Sequence, residues 1–158
     1  MPALDRRDLL KGAAALAAAM MPLPALARQP AVLILDGEEA IAGHLRRLLR
    51  SLYSNDVLIV ASPSAAMRMI EREPFSLLMA EPSILGRDLI AWTSRIRRTD
   101  PQLFMLFNHG YAEDEFPAGV FQGERTELLL RPFTWRELAR VCDRASLVRR
   151  TRPFTEDD

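Results

Sequence analysis

The chain has 158 residues, of which 49% are hydrophobic and 27% charged. This balance predicts one globular domain with a sizeable core and excludes a compositionally disordered chain. The formal net charge is zero at neutral pH, so no strongly basic surface for nucleic acid is expected. The single cysteine, Cys142, excludes an internal disulfide and any metal cluster built from cysteines.

Residues 1–27 are predicted to be a signal-peptide-like leader that lies outside the fold. They start with charged residues, continue in an alanine-rich apolar stretch too short to span a bilayer comfortably, and end in a small-residue cleavage pattern at Ala25 and Ala27. The segment resembles a twin-arginine translocation signal through Arg6, Arg7, Leu9, Leu10 and Lys11. It departs from the usual signal at Asp5, where Ser or Thr is commoner, and at Leu9, where Phe is commoner.

The leader predicts export to the periplasm through the twin-arginine route, with a mature chain that begins near Arg28. An alternative is a misassigned start. Translation from Met20 or Met21 would give a cytoplasmic protein that begins just before the domain.

From residue 30 onward, short apolar runs alternate with amphipathic stretches. The runs have the length of buried parallel strands and lie at residues 31–35, 57–61, 75–80, 103–107 and 127–130. Apolar residues at helical spacing predict helices at residues 38–52, 64–72 and 87–98, and a last helix that opens with a capping box at Thr134 and Glu137 and buries Leu138, Val141 and Leu147. The alternation predicts an α/β fold, with a doubly wound five-stranded parallel sheet and helices on both faces.

One interval departs from this pattern. Residues 110–125 contain Pro117, Gly119 and Gly123 where the crossover between strands four and five needs a helix. Each glycine lowers helix stability by about 1 kcal/mol. We therefore expect a short, bent or partly unwound fourth helix. The domain is expected to cover residues 28–150, followed by a polar acidic tail at residues 151–158.

Polar residues follow the carboxyl ends of four predicted strands, where ligands and chemistry gather in open parallel sheets. In chain order, the residues at these strand ends are Asp36, Gly37, Glu38, Glu81, Asn108, His109 and Arg131, all of them polar except Gly37. We predict that Asp36, Glu81, His109 and Arg131 meet in one pocket whose charges balance without a cation or a transferable phosphate.

Four motifs in order resemble the receiver domain of bacterial two-component response regulators, over about residues 30–150. They are "VLILDGEEAI", "SLLMAEPSILGRDL", "HGYAE" and "RPF". The resemblance implies a flavodoxin-like sheet of order 2-1-3-4-5 and a stand-alone signalling domain with a protein partner. It also implies contact, and a possible dimer, through the face formed by helix four, strand five and helix five.

The positions that match the family's phosphorylation site depart from its pattern. The resemblance implies an aspartate nucleophile, two further acidic residues for Mg²⁺, a Thr or Ser, and a Lys. The matching positions hold Asp36, Gly37 (with Glu38 next to it), Glu81, His109 and Arg131. Glu81 replaces the phosphoacceptor, His109 the Thr or Ser, and Arg131 the Lys.

These replacements predict a pseudo-receiver. The sequence has no nucleophile elbow, no Gly-rich phosphate loop after strand one and no paired histidines for a metal, so we expect neither an enzyme nor a cofactor. Mg²⁺ demands octahedral geometry at about 2.0–2.1 Å, so Asp36 and Glu81 form only a weak Mg²⁺ site. Glutamate also moves the attacking oxygen, and a misplacement of about 1 Å can cost about 10²-fold in rate. The planar fork of Arg131 suits bidentate pairing with Glu81 or Asp36, which would hold the domain in one state.

Two other functions stay open at this point. The chain could be a phosphorylation-competent atypical response regulator, or an exported flavodoxin-like ligand-binding protein. The acidic turn "DGEEAI" after strand one argues against a flavin phosphate there. Glu81 could also be a solvated carboxylate at a strand end, and His109 a loop histidine satisfied by backbone.

Overall fold

The structure, a computed structural model, describes residues 31–110, residue 120 and residues 123–151. Its strands are β1 (Ala31–Leu35), β2 (Val57–Val60), β3 (Phe75–Ala80), β4 (Phe104–His109) and β5 (Thr126–Leu130). Its helices are α1 (Glu39–Leu52), α2 (Pro63–Ile70), α3 (Leu89–Thr99) and α4 (Trp135–Arg144), with 3₁₀ turns at Pro82–Ile84 and Gly86–Asp88. Within these ranges, no helix is long and apolar enough to cross a bilayer.

The five strands form one sheet in the order β2-β1-β3-β4-β5, and every neighbouring pair is parallel. The predicted sheet is therefore confirmed, with β2 and β5 at its edges. The sheet forms because each strand is a short apolar run that can be buried on both faces.

Two hydrophobic cores lie on opposite faces of the sheet. Alternate side chains of β1 point to opposite faces, so that Val32 and Ile34 face α1 and α4 while Leu33 and Leu35 face α2 and α3. The helices bury Leu45, Leu49, Leu138 and Val141 in the first core, and Ala66, Met67, Ile70 and Ile96 in the second. The doubly wound arrangement leaves only the strand ends open to chemistry.

The last helix confirms one local prediction and corrects another. The capping box is present, since the Thr134 Oγ1 accepts from the Glu137 N–H and the Glu137 carboxylate accepts from the Thr134 N–H. The helix ends at Arg144, however, so Leu147 is buried in the core without being helical. Ser146 adopts a left-handed conformation (φ 60°), which stops the helix and returns the chain toward the core.

The irregular fourth helix predicted between strands four and five lies mostly outside the described residues, because residues 111–119 are not among them. What is described is the return of the chain to β5. Gly123 has φ 131°, a backbone conformation that favours glycine, and its carbonyl accepts from the Thr126 N–H.

The C-terminal segment of the described chain forms hydrogen bonds with residues at the C-terminal end of α1 and just after it. The Ser54 N–H donates to the Val148 carbonyl at 2.9 Å, and the Arg150 N–H donates to the Leu52 carbonyl at 3.0 Å. The Arg150 guanidinium also donates through Nε to the Arg50 carbonyl at 2.7 Å. The described chain therefore leaves the domain beside the C-terminal end of α1.

Candidate functional site

The carboxyl ends of four strands bring the predicted polar residues to one edge of the sheet. Leu35 pairs with Ala80 across β1 and β3, so that Asp36 and Glu81 follow neighbouring strands at the same level. The Arg131 N–H donates to the His109 carbonyl at 2.7 Å, which holds the start of the β5–α4 loop against the end of β4. Parallel pairing thus gathers residues that lie far apart in the chain.

Glu81 is the centre of this site. Its Oε1 accepts hydrogen bonds from the Ser83 N–H at 3.1 Å and from His109 Nδ1 at 2.5 Å, and its Oε2 pairs with Arg131 Nη2. A carboxylate at neutral pH can only accept, so His109 Nδ1 carries the hydrogen. Glu81 is 7% exposed, and three donors from three segments of the chain satisfy its buried carboxylate.

Local sequence explains why the Glu81 side chain turns inward. Pro82 restricts Glu81 to an extended backbone (φ −80°, ψ 112°) and begins the 3₁₀ turn Pro82–Ile84. In that geometry the Glu81 carboxylate caps the turn by accepting from the Ser83 N–H. This contact was not foreseen from the sequence, although a carboxylate before a proline turn is a recognisable capping signal.

Arg131 pairs with Glu81 and not with Asp36, and it does so through one nitrogen, Nη2. Its Nη2 pairs with Glu81, while its Nε is buried and has no hydrogen-bond partner in the described part of the chain. The expected bidentate fork is therefore absent among these residues. The reason lies on the acceptor, because Oε1 of Glu81 already serves Ser83 and His109.

Asp36 lies beside this group as a second buried carboxylate and is 3% exposed. Its Oδ1 accepts from the Glu38 N–H at 2.8 Å, whereas its Oδ2 is buried with no hydrogen-bond partner in the ranges that the structure covers. Burial raises the pKa of the Asp36 carboxyl above its ordinary value of 3.8. The Glu38 N–H and the Arg131 charge lower this pKa and the Glu81 charge raises it, and the net change is a rise.

The remaining predicted residues, Gly37, Glu38 and Asn108, differ in how deeply they are buried. Gly37 and Glu38 are both exposed at its rim, and Glu38 reaches Asp36 only through its backbone N–H. A Cβ added to Gly37 would lie 3.6 Å from Ile84 Cδ1, an ordinary contact, so a side chain is accommodated there. Asn108 is 1% exposed and buries an Oδ1 that lacks a partner within the described ranges.

This arrangement does not fit the Mg²⁺ ion that the receiver resemblance implies. Both oxygens of Glu81 are engaged, and the Arg131 charge lies where a cation would have to approach. Of the four oxygens of the buried carboxylates Asp36 and Glu81, only Asp36 Oδ2 has no partner in the described ranges, whereas Mg²⁺ needs a near-ideal octahedral set. No group of three or more His, Cys, Asp or Glu residues able to hold a metal occurs in the described part of the chain.

An open apolar groove lies next to the site, between α1 and the β5–α4 loop. It has a volume of about 580 Å³ and is lined by Ala40, Ile41, His44, Leu45, Leu48, Arg131, Pro132 and Phe133. The same loop that pairs with Glu81 through Arg131 therefore forms one wall of the groove.

Comparison with known proteins identifies the leader and the fold. The model of the TAT (twin-arginine translocation) pathway signal sequence matches residues 3–22. This match confirms the signal motif predicted around Arg6 and Arg7. The residues involved lie outside the part that the structure describes.

Two solved structures show the same fold as this chain. The signal receiver domain of an HD domain-containing protein from Pseudomonas fluorescens Pf-5 has a TM-score of 0.65 at 20% identity, covering 79% of this chain and 92% of its own. A response regulator receiver domain protein from Clostridium thermocellum has a TM-score of 0.65 at 17% identity, covering 74% of this chain and 94% of its own. The chain therefore has the receiver fold.

One curated relative is a transcriptional regulatory protein. The hydrogenase transcriptional regulatory protein HoxA of Cupriavidus necator is 26% identical over 107 residues, or 67% of this chain. The match spans 22% of the length of that relative.

The substitution Glu81→Gln is expected to lower the free energy of unfolding by about 1–3 kcal/mol, the range for leaving a buried donor without its acceptor. The amide removes the charge that Arg131 pairs with and turns two N–H donors toward His109 or Arg131. Urea denaturation measures the change. Glu73→Gln, at an exposed position, serves as the control and should stay within about 0.5 kcal/mol of the wild type. Equal values for both variants would contradict the central role of Glu81.

The substitution Asp36→Asn is expected to stabilise the domain at neutral pH. The folded state binds the Asp36 proton more tightly than the unfolded chain, so this contribution to stability is complete below pH 3.8 and is lost as the pH rises through the raised folded pKa. Asparagine keeps an oxygen for the Glu38 N–H but carries no charge. The gain should therefore appear at pH 7 and disappear near pH 3.5 in urea titrations, whereas Asp56→Asn at an exposed position should give no such difference.

Proposed function

We propose that this protein contains a receiver-like signalling domain of the two-component or phosphorelay type, which acts by protein–protein contact and is not phosphorylated. Support for the signalling role comes from the receiver fold and from the similarity to a transcriptional regulator. Support for the unphosphorylated state comes from the site itself.

The observation that carries the proposal is the engagement of Glu81. A phosphoacceptor must present a free carboxylate oxygen to the incoming phosphorus, yet Oε1 accepts two hydrogen bonds and Oε2 pairs with Arg131. Attack would require at least one of these contacts to break in a buried place. The longer glutamate arm also displaces the attacking oxygen relative to aspartate.

Replacement of the usual Thr or Ser by His109 acts in the same direction. His109 is 6% exposed and donates to Glu81 at 2.5 Å, so that it joins the end of β4 to the end of β3. The receiver resemblance implies a Thr or Ser that moves toward the phosphoryl group. A side chain held as His109 is held would not make that movement. The site therefore favours one persistent arrangement over a switch between two.

The groove beside Arg131 gives the proposed module a surface for a protein partner. Its apolar lining, on α1 and on Pro132 and Phe133, suits an amphipathic helix. Because Arg131 joins this wall to Glu81, locking the site would also hold the wall in place. Contact or dimerisation through the face formed by β5, α4 and the predicted helix between β4 and β5 is a further proposal, and that predicted helix lies mostly outside the described residues.

Export adds an independent reason for the loss of phosphorylation. The twin-arginine signal match supports export, and we place the mature protein in the periplasm. Two-component phosphotransfer draws on ATP in the cytoplasm. An exported receiver fold would therefore lose little when its phosphorylation residues change.

Incubation with Mg²⁺ and acetyl phosphate, followed by intact mass spectrometry, tests the phosphorylation proposal. The wild type is expected to gain no phosphoryl group. A variant that carries Gly37→Asp, Glu81→Asp, His109→Thr and Arg131→Lys is expected to gain one, since Gly37 accommodates a side chain and the remaining changes release the carboxylate.

The matched control is the same four-site variant with Glu81→Ala in place of Glu81→Asp, which should gain nothing. Labelling of the wild type that disappears in Glu81→Gln would overturn the proposal and favour an atypical, phosphorylation-competent response regulator.

Cell fractionation with sequencing of the mature amino terminus tests the location. A sequence that begins near Arg28 in the periplasmic fraction is expected, and Arg6→Lys with Arg7→Lys should retain the protein in the cytoplasm. A cytoplasmic protein that begins at Met20 or Met21 would show that the start was misassigned.

A further inference from the structure

Helix α1 carries a row of arginines on one exposed face. Arg46, Arg47 and Arg50 follow Gly43 at intervals of three, four and seven residues, which places all four on one helix face. The three arginines are exposed, and none of them forms an ion pair within the described residues. We call this surface the arginine face.

The arginine face borders an open groove between α1 and β2. The groove has a volume of about 780 Å³ and is lined by Glu39, Ala40, Gly43, Arg46, Arg47 and Ile59. Arg47 Nη1 lies 3.7 Å from the place where a Cβ of Gly43 would be, so its positive charge lies next to Gly43 in the lining of the groove. β2 is an edge strand, and Leu58 on it is 36% exposed. An extended segment in this groove would cover an edge that otherwise invites pairing with other chains.

The chain itself leads an acidic segment to this place. Arg150 donates to the carbonyls of Arg50 and Leu52, so the described chain, which ends at residue 151, ends beside Arg50 and the arginine face. The sequence of residues 152–158, RPFTEDD, brings three carboxylates, Glu156, Asp157 and Asp158. The number of carboxylates equals the number of exposed arginines on the face.

The segment is long enough to cover the arginine face. Seven extended residues span at most about 23–25 Å. Along α1, Arg46 lies about 6 Å and Gly43 about 10 Å from Arg50 at the helical rise of about 1.5 Å per residue. The carboxylates can therefore reach Arg46 and Arg47 without a fully extended backbone. Glu39 repels them at the far end of the groove, which limits how far they travel along α1.

We propose that residues 154–158 dock in cis on the arginine face, with their carboxylates paired to Arg46, Arg47 and Arg50 and their backbone covering the groove between α1 and β2. A tethered segment has an effective concentration in the millimolar range, so weak exposed ion pairs suffice for docking. The interaction is electrostatic and weakens with salt. It does not involve Glu81, and it stands or falls separately from the phosphorylation proposal.

Disulfide trapping in the full chain tests this docking. Gly43→Cys and Thr155→Cys place one thiol in the groove and one in the tail, and the Gly43 position accepts a Cβ at ordinary contact distance. The native Cys142 does not compete, because it is fully buried and burial raises the pKa of its thiol to about 12. An intramolecular disulfide is expected to form at least tenfold faster at low salt than in 1 M salt.

Two matched controls distinguish docking from random encounter. The same cysteine pair with Arg46→Gln, Arg47→Gln and Arg50→Gln should react at least tenfold more slowly, while circular dichroism shows an unchanged fold. Arg68→Cys with Thr155→Cys, with the first thiol at an exposed position on α2, should also react slowly. Equal rates in any of these comparisons would overturn the proposal. A disulfide-linked dimer as the main product would overturn docking in cis and assign the arginine face to a second copy.

Discussion

The burial of one carboxylate, Glu81, is the constraint on which the site depends. A buried charge is tolerated only when donors satisfy it, and here the donors come from the turn after β3, the end of β4 and the residue after β5. The contacts join the ends of three neighbouring strands. Each of them also occupies an oxygen that a phosphoacceptor would need free. The contacts that satisfy the buried charge are therefore the same contacts on which the proposal of an unphosphorylated site rests.

The second carboxylate shows the opposite situation. Asp36 has one oxygen bonded to the Glu38 N–H and one buried without a partner in the described part of the chain, so its charge is disfavoured and its pKa is raised. Arg131 pairs through Nη2 with Glu81, and its charge lowers the Asp36 pKa without offsetting the effect of burial. In the receiver domains that the chain resembles, a bound cation would offset part of the negative charge of these two carboxylates. The chain instead carries one carboxylate satisfied by three donors beside one whose pKa is raised by burial.

Much of the fold could be predicted because each element is determined locally. Continuous apolar runs match β1 and β3 to the residue, and the Thr134–Glu137 capping box marks the start of α4. The strand-end residues followed from the rule that parallel strands end at one edge. The end of α4 could not be predicted, because the left-handed Ser146 that stops it is an unusual conformation for serine, adopted where Leu147 turns back into the core.

The sequence by itself determined the export signal, the parallel sheet and the set of polar residues at its carboxyl edge, because these depend on composition, periodicity and order along the chain. Only the tertiary structure decided that Arg131 pairs with Glu81 and not with Asp36, that one guanidinium nitrogen makes this contact, and that Ser83 completes it. Those choices rest on distances between side chains from different strands. Such distances follow from strand register and from the turn at Pro82, and no pattern along one segment contains them.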